Sequence, residues 1–491
     1  MSRQGRRVQR ATSAAALADE VAALLGDGHR LALVAAHDDG AELRIVYLLL
    51  RAGDDSRVEV TVRVPADQPA IPSLAAISYA ASRFEREMHD LFGVIPTGHP
   101  LPRRLVRHGH WPAGWYPLRR DAGAAPAFTA SERFPFRDVH GPAVFEVPVG
   151  PVHAGMIEPG HFRFSVVGET VLKLKARLWF VHRGVEKLFE GRLPAAGVAL
   201  AERISGDTAV GHSLAYTLAI EAAAGLTMSG EGARLRAVLL ELERVYNHVA
   251  DLGALANDVG FGLAYAHALA LRERLLRLNA AVTGHRLLRG AITPGEVRLR
   301  ALPDLALLGD VAAEAAEIAE LTLAHSVIRD RFTGTGVLSA QQAADLGCLG
   351  PVARATGLAV DARFDHPSVD LAPDPATETG GDVLARYLVR RREIAASVDL
   401  VARLLDGATA LEGTARRTGR SSRSGLGLVE GWRGTIATRV ELTGAVLSRV
   451  KVVDPSWFNW PALPLTVTDA IVPDFPLINK SFNLSYAGND L

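Results

Sequence analysis

One turn-rich loop carries residue types that suit acid–base chemistry. The run GPVHAGMIEPGH, residues 150–161, holds His153, Glu158 and His161 between two strand-like runs. An imidazole titrates near neutral pH, and a buried carboxyl group can be tuned upward to meet it. Glu158 and His161 are therefore candidates for a proton-donor pair. The alternative is that both side chains only hold the loop through backbone hydrogen bonds.

A second polar group stands at the start of a predicted helix. Asp207 and Thr208 open a helical pattern that runs through His212. Side chains of these types accept hydrogen bonds from free backbone amides at a helix start, so both residues are candidates for N-cap groups. They are equally candidates for polar groups of a site, and the pattern leaves the two interpretations open.

The elements that must position these groups fall into two domains joined by a linker, and together they predict an α+β fold. Residues 1–125 predict a small α/β domain, and residues 144–491 predict a mainly helical domain with β elements at its start and end. Residues 126–143 are rich in Pro and aromatic residues without a period, which indicates a linker. Helical patterns occur at 12–25, 71–92, 177–190, 212–225, 232–259, 264–283, 302–331 and 380–405, and β-favouring runs at 31–36, 42–49, 58–64, 145–149, 162–171, 434–440 and 445–453.

Composition excludes several classes of function. The 491 residues include 54 basic and 54 acidic side chains, so the formal net charge is zero and gives no reason to expect nucleic acid as a partner. The single cysteine, Cys348, cannot build a disulfide, a thiolate zinc site or an iron–sulfur cluster within this chain. No apolar run reaches the ~18 residues of a membrane span. We expect a cytoplasmic protein that docks on a membrane partner.

Longer runs of residues resemble a known family. SRFEREMHDLFG (82–93), followed by PLRRD (117–121), resembles the small, 30-kDa-type C subunit of respiratory complex I. Taken alone, Glu85, Glu87 and Asp90 in this run could form a solvated helix face. The resemblance implies instead a docking domain of the complex that carries no cofactor.

The second domain resembles the large subunit that complex I and the membrane-bound [NiFe] hydrogenases of the formate-hydrogenlyase type (subunit 5) share. In complex I this is the 49-kDa-type D subunit, which lines the quinone site. The matching runs include GPVHAGMIEPGHFRF (150–164), AERISGDTAVGHSLAY (201–216), ELERVYNHVADLG (241–253) and VPDFPLINKSFNLSYAGNDL (472–491). The order along the chain is that of a fused C and D pair.

The chain departs from the hydrogenase pattern at the metal ligands. The family's two C-x-x-C pairs fall at Ser205 with Thr208 and at Ser485 with Gly488. Hydroxyl groups stay protonated and glycine has no side chain, so a soft thiolate site cannot be rebuilt here. We therefore expect no nickel and no hydrogenase activity. The quinone-binding tyrosine of complex I falls at Gly206.

The resemblance also implies which residues line the remaining cavity. The histidine of the first loop is represented by His161, or alternatively by His153, and Glu158 stands where hydrogenases carry a proton-transfer glutamate. Arg203, beside Glu202, is expected to form a buried ion pair that faces the cavity. Further residues expected to line the cavity are Asp207, Thr208, His212 and Ser485.

We therefore expect the chain to be the non-metal large subunit of a membrane-associated oxidoreductase. We expect it to be cytoplasmic and to lie peripherally on the inner face of the cell membrane. The chain would bind no cofactor of its own, with a quinone possible in its cavity. NAD and iron–sulfur clusters would lie on partners, which are a small iron–sulfur subunit and membrane antiporter-like subunits. The activity of such a complex would be of the NAD(P)H:quinone type. The alternative is a non-catalytic scaffold subunit of a complex I-related ion-transporting assembly.

Overall fold

A four-stranded sheet with helices beside it forms the N-terminal part of the chain. The computed structural model describes residues 7–129, 134–153, 157–370 and 374–491. The elements of this part are β1 Arg7–Thr12, α1 Leu17–Gly26, β2 Arg30–Asp38, β3 Glu42–Arg51, β4 Ser56–Pro65, β5 Ala70–Pro72, α2 Tyr79–Phe92 and β6 Ile95–Thr97. The sheet order is β1-β4-β3-β2, with β1 parallel to β4 and the other pairs antiparallel.

Helix α2 is fixed at both ends by local chemistry. The Ser78 hydroxyl accepts a hydrogen bond from the Ala81 amide, and the helix ends at Gly93 with a φ of 79°. A Cβ atom at position 93 would lie 2.7 Å from the Tyr116 ring, so glycine is required there. Glu85, Glu87 and Asp90 on this helix are all buried. The interpretation of these acids as a solvated face is therefore wrong.

The second part is mainly helical, with small sheets near its start and end, as the α+β fold class predicts. Its elements are β7 Val144–Val149, β8 His161–Val167, β9 Thr170–Arg177, α3 Val185–Phe189, α4 Pro194–Ala201, α5 Ala209–Ala224, β10 Leu226–Met228, α6 Gly230–Asp258, α7 Gly262–Thr283, β11 Ile292–Thr293, β12 Glu296–Arg298, α8 Leu305–Ala324, α9 Ser326–Phe332, α10 Ala340–Leu346, α11 Gly350–Arg354, α12 Ala362–Asp365, α13 Val383–Leu404, β13 Glu412–Arg417, β14 Ser424–Gly431, β15 Gly434–Thr443, β16 Val446–Val453, α14 Ser456–Asn459, α15 Leu463–Val467, α16 Phe475–Phe482 and α17 Tyr486–Asp490.

Helix α5 lies against the sheet formed by β14, β15 and β16, and helix α6 packs between α7 and α13. The close approach of α5 to β14 depends on glycine. A Cβ atom at Gly427 would lie 1.9 Å from the Ala215 carbonyl oxygen, and one at Gly425 would lie 1.9 Å from the Ala219 carbonyl oxygen. The two glycines therefore let strand and helix backbones touch.

Several helix predictions are wrong in their bounds. The pattern at 71–92 forms a helix only from Tyr79, because its first residues belong to strand β5. The pattern at 177–190 contains only the short helix α3, because strand β9 continues to Arg177. The pattern at 302–331 is broken at His325, whose backbone is extended, so that it forms α8 and α9. Among the described residues, no helix is both long and apolar enough to cross a membrane.

Buried ion pairs and a buried histidine–carboxylate hydrogen bond join the two parts. Arg44 of β3 binds Glu441 of β15 with two nitrogen–oxygen distances of 2.8 Å, and His366 binds Asp55 at 2.7 Å. Lys451 of β16 binds both oxygens of Glu87 on α2, at 2.6 and 2.8 Å. Buried side-chain pairs thus join the first sheet and helix α2 to the second part of the chain.

Candidate functional site

The four positions aligned with metal-binding cysteines come together in space. Ser205 and Ser485 are joined by a hydrogen bond of 2.8 Å between their hydroxyl oxygens. The Ser485 hydroxyl also accepts from the Gly488 amide at 2.9 Å and so caps helix α17. Thr208 lies at the start of α5 and donates to Asp207 at 3.0 Å. The residues at these four positions therefore lie close together in the structure.

An arginine occupies the centre of this group. Arg433, in the turn between β14 and β15, binds both oxygens of Asp207 at 2.7 Å and donates to the Thr208 hydroxyl at 3.2 Å. Its guanidinium carbon lies 3.8 Å from the ring centre of Trp432. Burial alone would raise the pKa of Asp207, but Arg433 lowers it to about 2. We call Ser205, Asp207, Thr208, Arg433 and Ser485 the serine–arginine cluster.

The prediction that Asp207 and Thr208 cap helix α5 is wrong. The Thr208 side chain makes no cap hydrogen bond. Glu243 of α6 caps the helix instead, accepting from the Val210 amide at 2.7 Å and the Gly211 amide at 2.9 Å. Burial raises the pKa of Glu243 to about 8. The hydroxyl and carboxylate at the helix start are thereby left to the serine–arginine cluster.

His212 lies beside the cluster and pairs with a residue that the sequence did not mark. Its Nε2 atom lies 3.0 Å from Asp454 Oδ2, and both side chains are buried. Burial acts to raise the pKa of Asp454, but His212 and Arg433 hold it below its ordinary value. A Cβ atom at Gly488 would lie 2.6 Å from this carboxyl group. Glycine at position 488 therefore makes room for Asp454.

The turn-rich loop reaches the same cluster through Glu158. This carboxylate accepts from the Ala487 amide at 3.0 Å, in the first turn of α17, two residues after Ser485. His153 bonds the Gly160 carbonyl at 2.8 Å, and His161 Nδ1 bonds the Gly150 carbonyl at 3.1 Å. The exposed Glu158 thus contacts helix α17 close to Ser485, while each histidine holds the loop.

His161 also borders a cavity of about 660 Å³. Its walls come from the segment between α2 and the linker, from the linker itself and from the ends of β8 and β9. The lining side chains that carry charge or aromatic rings are Arg103, Arg104, Arg107, His108, His110, Phe134, Phe136, His161, Arg177 and Phe180. The contacts of Glu158 and His161 lead to different places, and their joint role stays a prediction.

The expectation for Arg203 is wrong. Its side chain is 56% exposed, and its closest nitrogen lies 3.9 Å from Glu202. It donates to the Ala199 carbonyl at 2.7 Å, which is a common use of arginine after the last turn of a helix. Glu202 is buried and accepts from the Gly290 amide at 2.6 Å. No buried ion pair of Arg203 faces the cavity at this point.

Comparisons with known proteins agree with this architecture. Residues 11–127 match the family described as respiratory-chain NADH dehydrogenase, 30 Kd subunit, and residues 258–424 match the 49 Kd subunit. Formate hydrogenlyase subunit 5 of Escherichia coli (strain K12) is 34% identical over 468 residues, which cover 91% of this chain and 81% of that protein. The chain belongs to this complex I and hydrogenase large-subunit family.

Other members of the family show the same fusion and the same fold. The fused C/D subunit of NADH-quinone oxidoreductase from Phocaeicola vulgatus is 30% identical over 394 residues, covering 74% of this chain and 75% of that protein. A chain in the structure of the membrane-bound sulfane sulfur reductase, an archaeal respiratory membrane complex, superposes with a TM-score of 0.64 at 26% identity. That match covers 71% of this chain and 99% of the other.

The residues at the family's metal position do not fit a nickel–iron centre. Ser205, Thr208 and Ser485 offer neutral hydroxyl groups that already hydrogen bond to neighbours, and hydroxyls are poor ligands for a soft thiolate site. Within the described ranges, no group of three or more His, Cys, Asp or Glu side chains is arranged to hold a metal ion. Cys348 is buried, and burial raises its pKa to about 12.

Three residues of the site were not found from the sequence. Arg433, Trp432 and Asp454 lie in turns next to strands, and no helical or strand period marks them. The signal that could have found Arg433 is its place between two glycines, Gly431 and Gly434, in a strand turn that must approach other backbone closely. Its partner Asp207 was found, both as a candidate cavity residue and as a possible helix cap.

Proposed function

We propose that this chain is the non-metal large subunit of a membrane-associated complex I-like oxidoreductase. In this proposal, the loop at 150–161 delivers protons to a quinone-type acceptor at the face next to the serine–arginine cluster. The observation that carries it is the hydrogen bond that the Ala487 amide donates to Glu158, because it ties the loop with these acid–base residue types to the helix that Ser485 caps. The relatives named for NADH-quinone oxidoreductase activity support the class of reaction.

The chemistry that the loop would supply is simple. Two electrons would come from an iron–sulfur cluster of a small partner subunit, with NAD(P)H or another donor on further subunits. Two protons complete the reduction of a quinone to a quinol, and His161 and Glu158 are the groups of this chain with the types to deliver them. Membrane antiporter-like subunits would hold the assembly at the inner face of the cell membrane.

The test is substitution in the assembled complex. His161→Gln and Glu158→Gln should each lower quinone-dependent turnover, by about 10²-fold or more if the residue is a general acid. His140→Gln and Glu169→Gln are matched controls, because both side chains are exposed. Assembly is measured beside turnover by gel filtration. Normal turnover in both loop variants, with assembly intact, would contradict the proposal.

A variant that restores the missing tyrosine provides a complementary test of the same site. Gly206 stands where complex I carries its quinone-binding tyrosine, and a Cβ atom built there meets no atom within 4 Å. Gly206→Tyr should therefore fold, and its hydroxyl should lower the KM for a quinone. Gly206→Phe is the control that adds the ring without the hydrogen-bond donor. Equal KM values for the two variants would argue against a quinone head group at this face.

A scaffold role is the second candidate, and one observation favours it. The polar groups of the serine–arginine cluster satisfy one another, with Arg433 bound to Asp207, Thr208 and the Asn483 carbonyl. A closed network of this kind rigidifies a core without needing a substrate. The loop variants above separate the two functions, since a scaffold tolerates them as long as the complex assembles.

A further inference from the structure

The 660 Å³ cavity beside His161 has an unusual charge. Four arginines and three histidines line it, and the described residues of its lining include no Asp or Glu. The chain as a whole has equal numbers of acidic and basic residues, so this concentration of one sign is local. Cavities of roughly 300–1,000 Å³ are typical of small-molecule sites. A cavity of this size and charge needs negative groups that balance the charge of its guanidinium groups.

The guanidinium groups bind backbone carbonyls rather than carboxylates. Arg103 donates to the Pro135 carbonyl at 3.1 Å, Arg104 to the Trp111 carbonyl at 2.7 Å, and Arg177 to the Leu105 carbonyl at 2.5 Å. Arg107 donates to the carbonyls of Pro112 and Trp115. Among the described residues, these four arginines form no ion pair with a carboxylate, although the charge of Asp90 acts on Arg107 and Arg177.

Some donors of the cavity have no acceptor. The Nε atoms of Arg103 and Arg107 are buried and make no hydrogen bond within the described part of the chain. The nearby acid Asp90 does not line the cavity, and one of its oxygens accepts from the backbone amides of Leu105, Val106 and Arg107, so its single charge acts on Arg107 and Arg177 only through space. Its role is to hold the arginine-bearing segment in place. The cavity therefore keeps an excess of positive charge.

The electrostatics of the buried members agree with this excess. Arg177 is 5% exposed, and burial lowers its pKa to about 10 although Asp90 acts in the opposite direction. Burial and the charge of Arg177 lower the pKa of His108 to about 4. His108 is therefore neutral near pH 7, and the positive charge of the cavity comes from its arginines, on which Asp90 and Asp490 act without outweighing the burial of Arg177.

Aromatic rings form the remaining wall. The guanidinium carbon of Arg177 lies 4.6 Å from the ring centre of Phe134, and that of Arg103 lies 5.0 Å from it. The ring centre of Phe136 is 5.5 Å from that of His161, and Phe180 packs edge-on against His108. Flat apolar surfaces beside guanidinium groups suit a molecule with an apolar body and a charged head.

We propose that this cavity binds a small organic anion whose carboxylate or phosphate head pairs with the arginines while its apolar body packs on the phenylalanines. Arginine is the residue best shaped for such heads, because its planar fork donates two parallel hydrogen bonds. The inference goes beyond the proposed function, since anion binding needs no electron transfer and a neutral quinone would not balance the charge.

The test measures binding to the full-length chain by calorimetry, without turnover. The probes are 2-naphthoate and 2-naphthyl phosphate, with uncharged 2-naphthylmethanol as the matched control. We expect both anions to bind, with an affinity that falls as salt is raised, and the alcohol to bind about tenfold more weakly or not at all. Equal binding of the alcohol and the anions would overturn the proposal.

Two variants locate the binding in the cavity. Ala113 is exposed and lines the cavity, so Ala113→Asp adds a carboxylate there with little risk to folding, and Ala113→Asn is its uncharged control. Ala113→Asp and Arg103→Gln should weaken binding about tenfold or more. Arg120→Gln, an exposed arginine of the same segment that does not line this cavity, should leave it unchanged.

Other outcomes would overturn the inference. Unchanged affinity in Ala113→Asp and Arg103→Gln would show that the probes bind elsewhere. Binding of the chain to phosphatidylglycerol vesicles without binding of either soluble probe would identify a lipid surface in place of a small-molecule site. Because neither result depends on turnover, the proposed function can fail or stand independently of this one.

Discussion

Removing one buried cation should loosen the contact between the two domains. Lys451 of β16 lies between Glu87 of α2 and Glu186 of α3, with nitrogen–oxygen distances of 2.6 and 3.2 Å. All three residues are at most 5% exposed. In Lys451→Met, Glu186 keeps Arg449 at 2.7 Å, but Glu87 loses its cation. The variant therefore leaves one buried carboxylate without a partner across the domain contact.

The expected loss in the free energy of unfolding follows from the burial of the pair. Breaking a buried pair by removing one partner costs about 3–5 kcal/mol, because the remaining charge is left in a poor solvent. For 491 residues unfolding together, an entropy of about 2.1 cal/mol/K per residue converts this loss into a fall of about 3–5 °C in Tm. The exposed pair of Lys187 and Glu190, 2.7 Å apart, is the matched control, and Lys187→Met should cost at most about 1 kcal/mol.

The loss of stability in Lys451→Met should be smaller at low pH than at neutral pH. Burial raises the pKa of Glu87, and Lys451 opposes that shift. Without Lys451 the native pKa rises further above its unfolded value, so the native state binds more protons than the unfolded state and stability falls as pH rises through that window. Denaturant titrations at low and neutral pH should therefore show a smaller deficit at low pH. Adding Glu87→Gln should recover part of the stability. A deficit that is independent of pH, or unaffected by Glu87→Gln, would refute the reasoning.

Three further predictions concern the metal position, the linker and a helix cap. Elemental analysis should find far less than one nickel atom per chain, and about one would contradict the loss of thiolate ligands. Cleavage at a protease site placed after Ala127 should leave the two parts bound together on gel filtration, because buried pairs such as Arg44–Glu441 join them, and separate elution would refute this. Burial raises the pKa of Glu243 to about 8, so its contribution to stability should fall as pH rises through the range between its ordinary value and 8. Denaturation of Glu243→Gln should show a weaker pH dependence than the native chain, and an equal dependence would count against that shift.

Regular elements with a clear period could be predicted from the sequence. The long helix α6 and the strands of the first sheet follow their hydrophobic patterns, because each buries one face or both. Strand β1 could not be found this way, since its residues are mostly exposed and it pairs only at the sheet edge. The burial of the acids of α2 could not be read from their local pattern for a related reason, because their partners lie far away in sequence, as Lys451 does for Glu87.

The candidate site could be predicted only as far as the family resemblance reached. The four altered ligand positions were expected from the resemblance, and the residues at these positions lie close together in the structure. The partners of Asp207 and His212 could not be predicted. Arg433 and Asp454 come from turns more than two hundred residues further along the chain. Tertiary packing also decided between alternatives that local sequence left open, as when Glu243 caps α5 in place of Thr208.

The side chains that fill the family's metal position affect where any chemistry of this chain could take place. Arg433 has Asp207, Asp454 and Asp251 acting to raise its pKa against the effect of burial, so it stays charged and fixes the surrounding carboxylates. Displacing a side chain with this many partners would cost much free energy. The serine–arginine cluster therefore offers little room for a substrate. The loop side is different, because Glu158 is exposed and His161 borders an open cavity. We therefore expect any reactivity of this chain at the loop face, with the cluster behind it as rigid support.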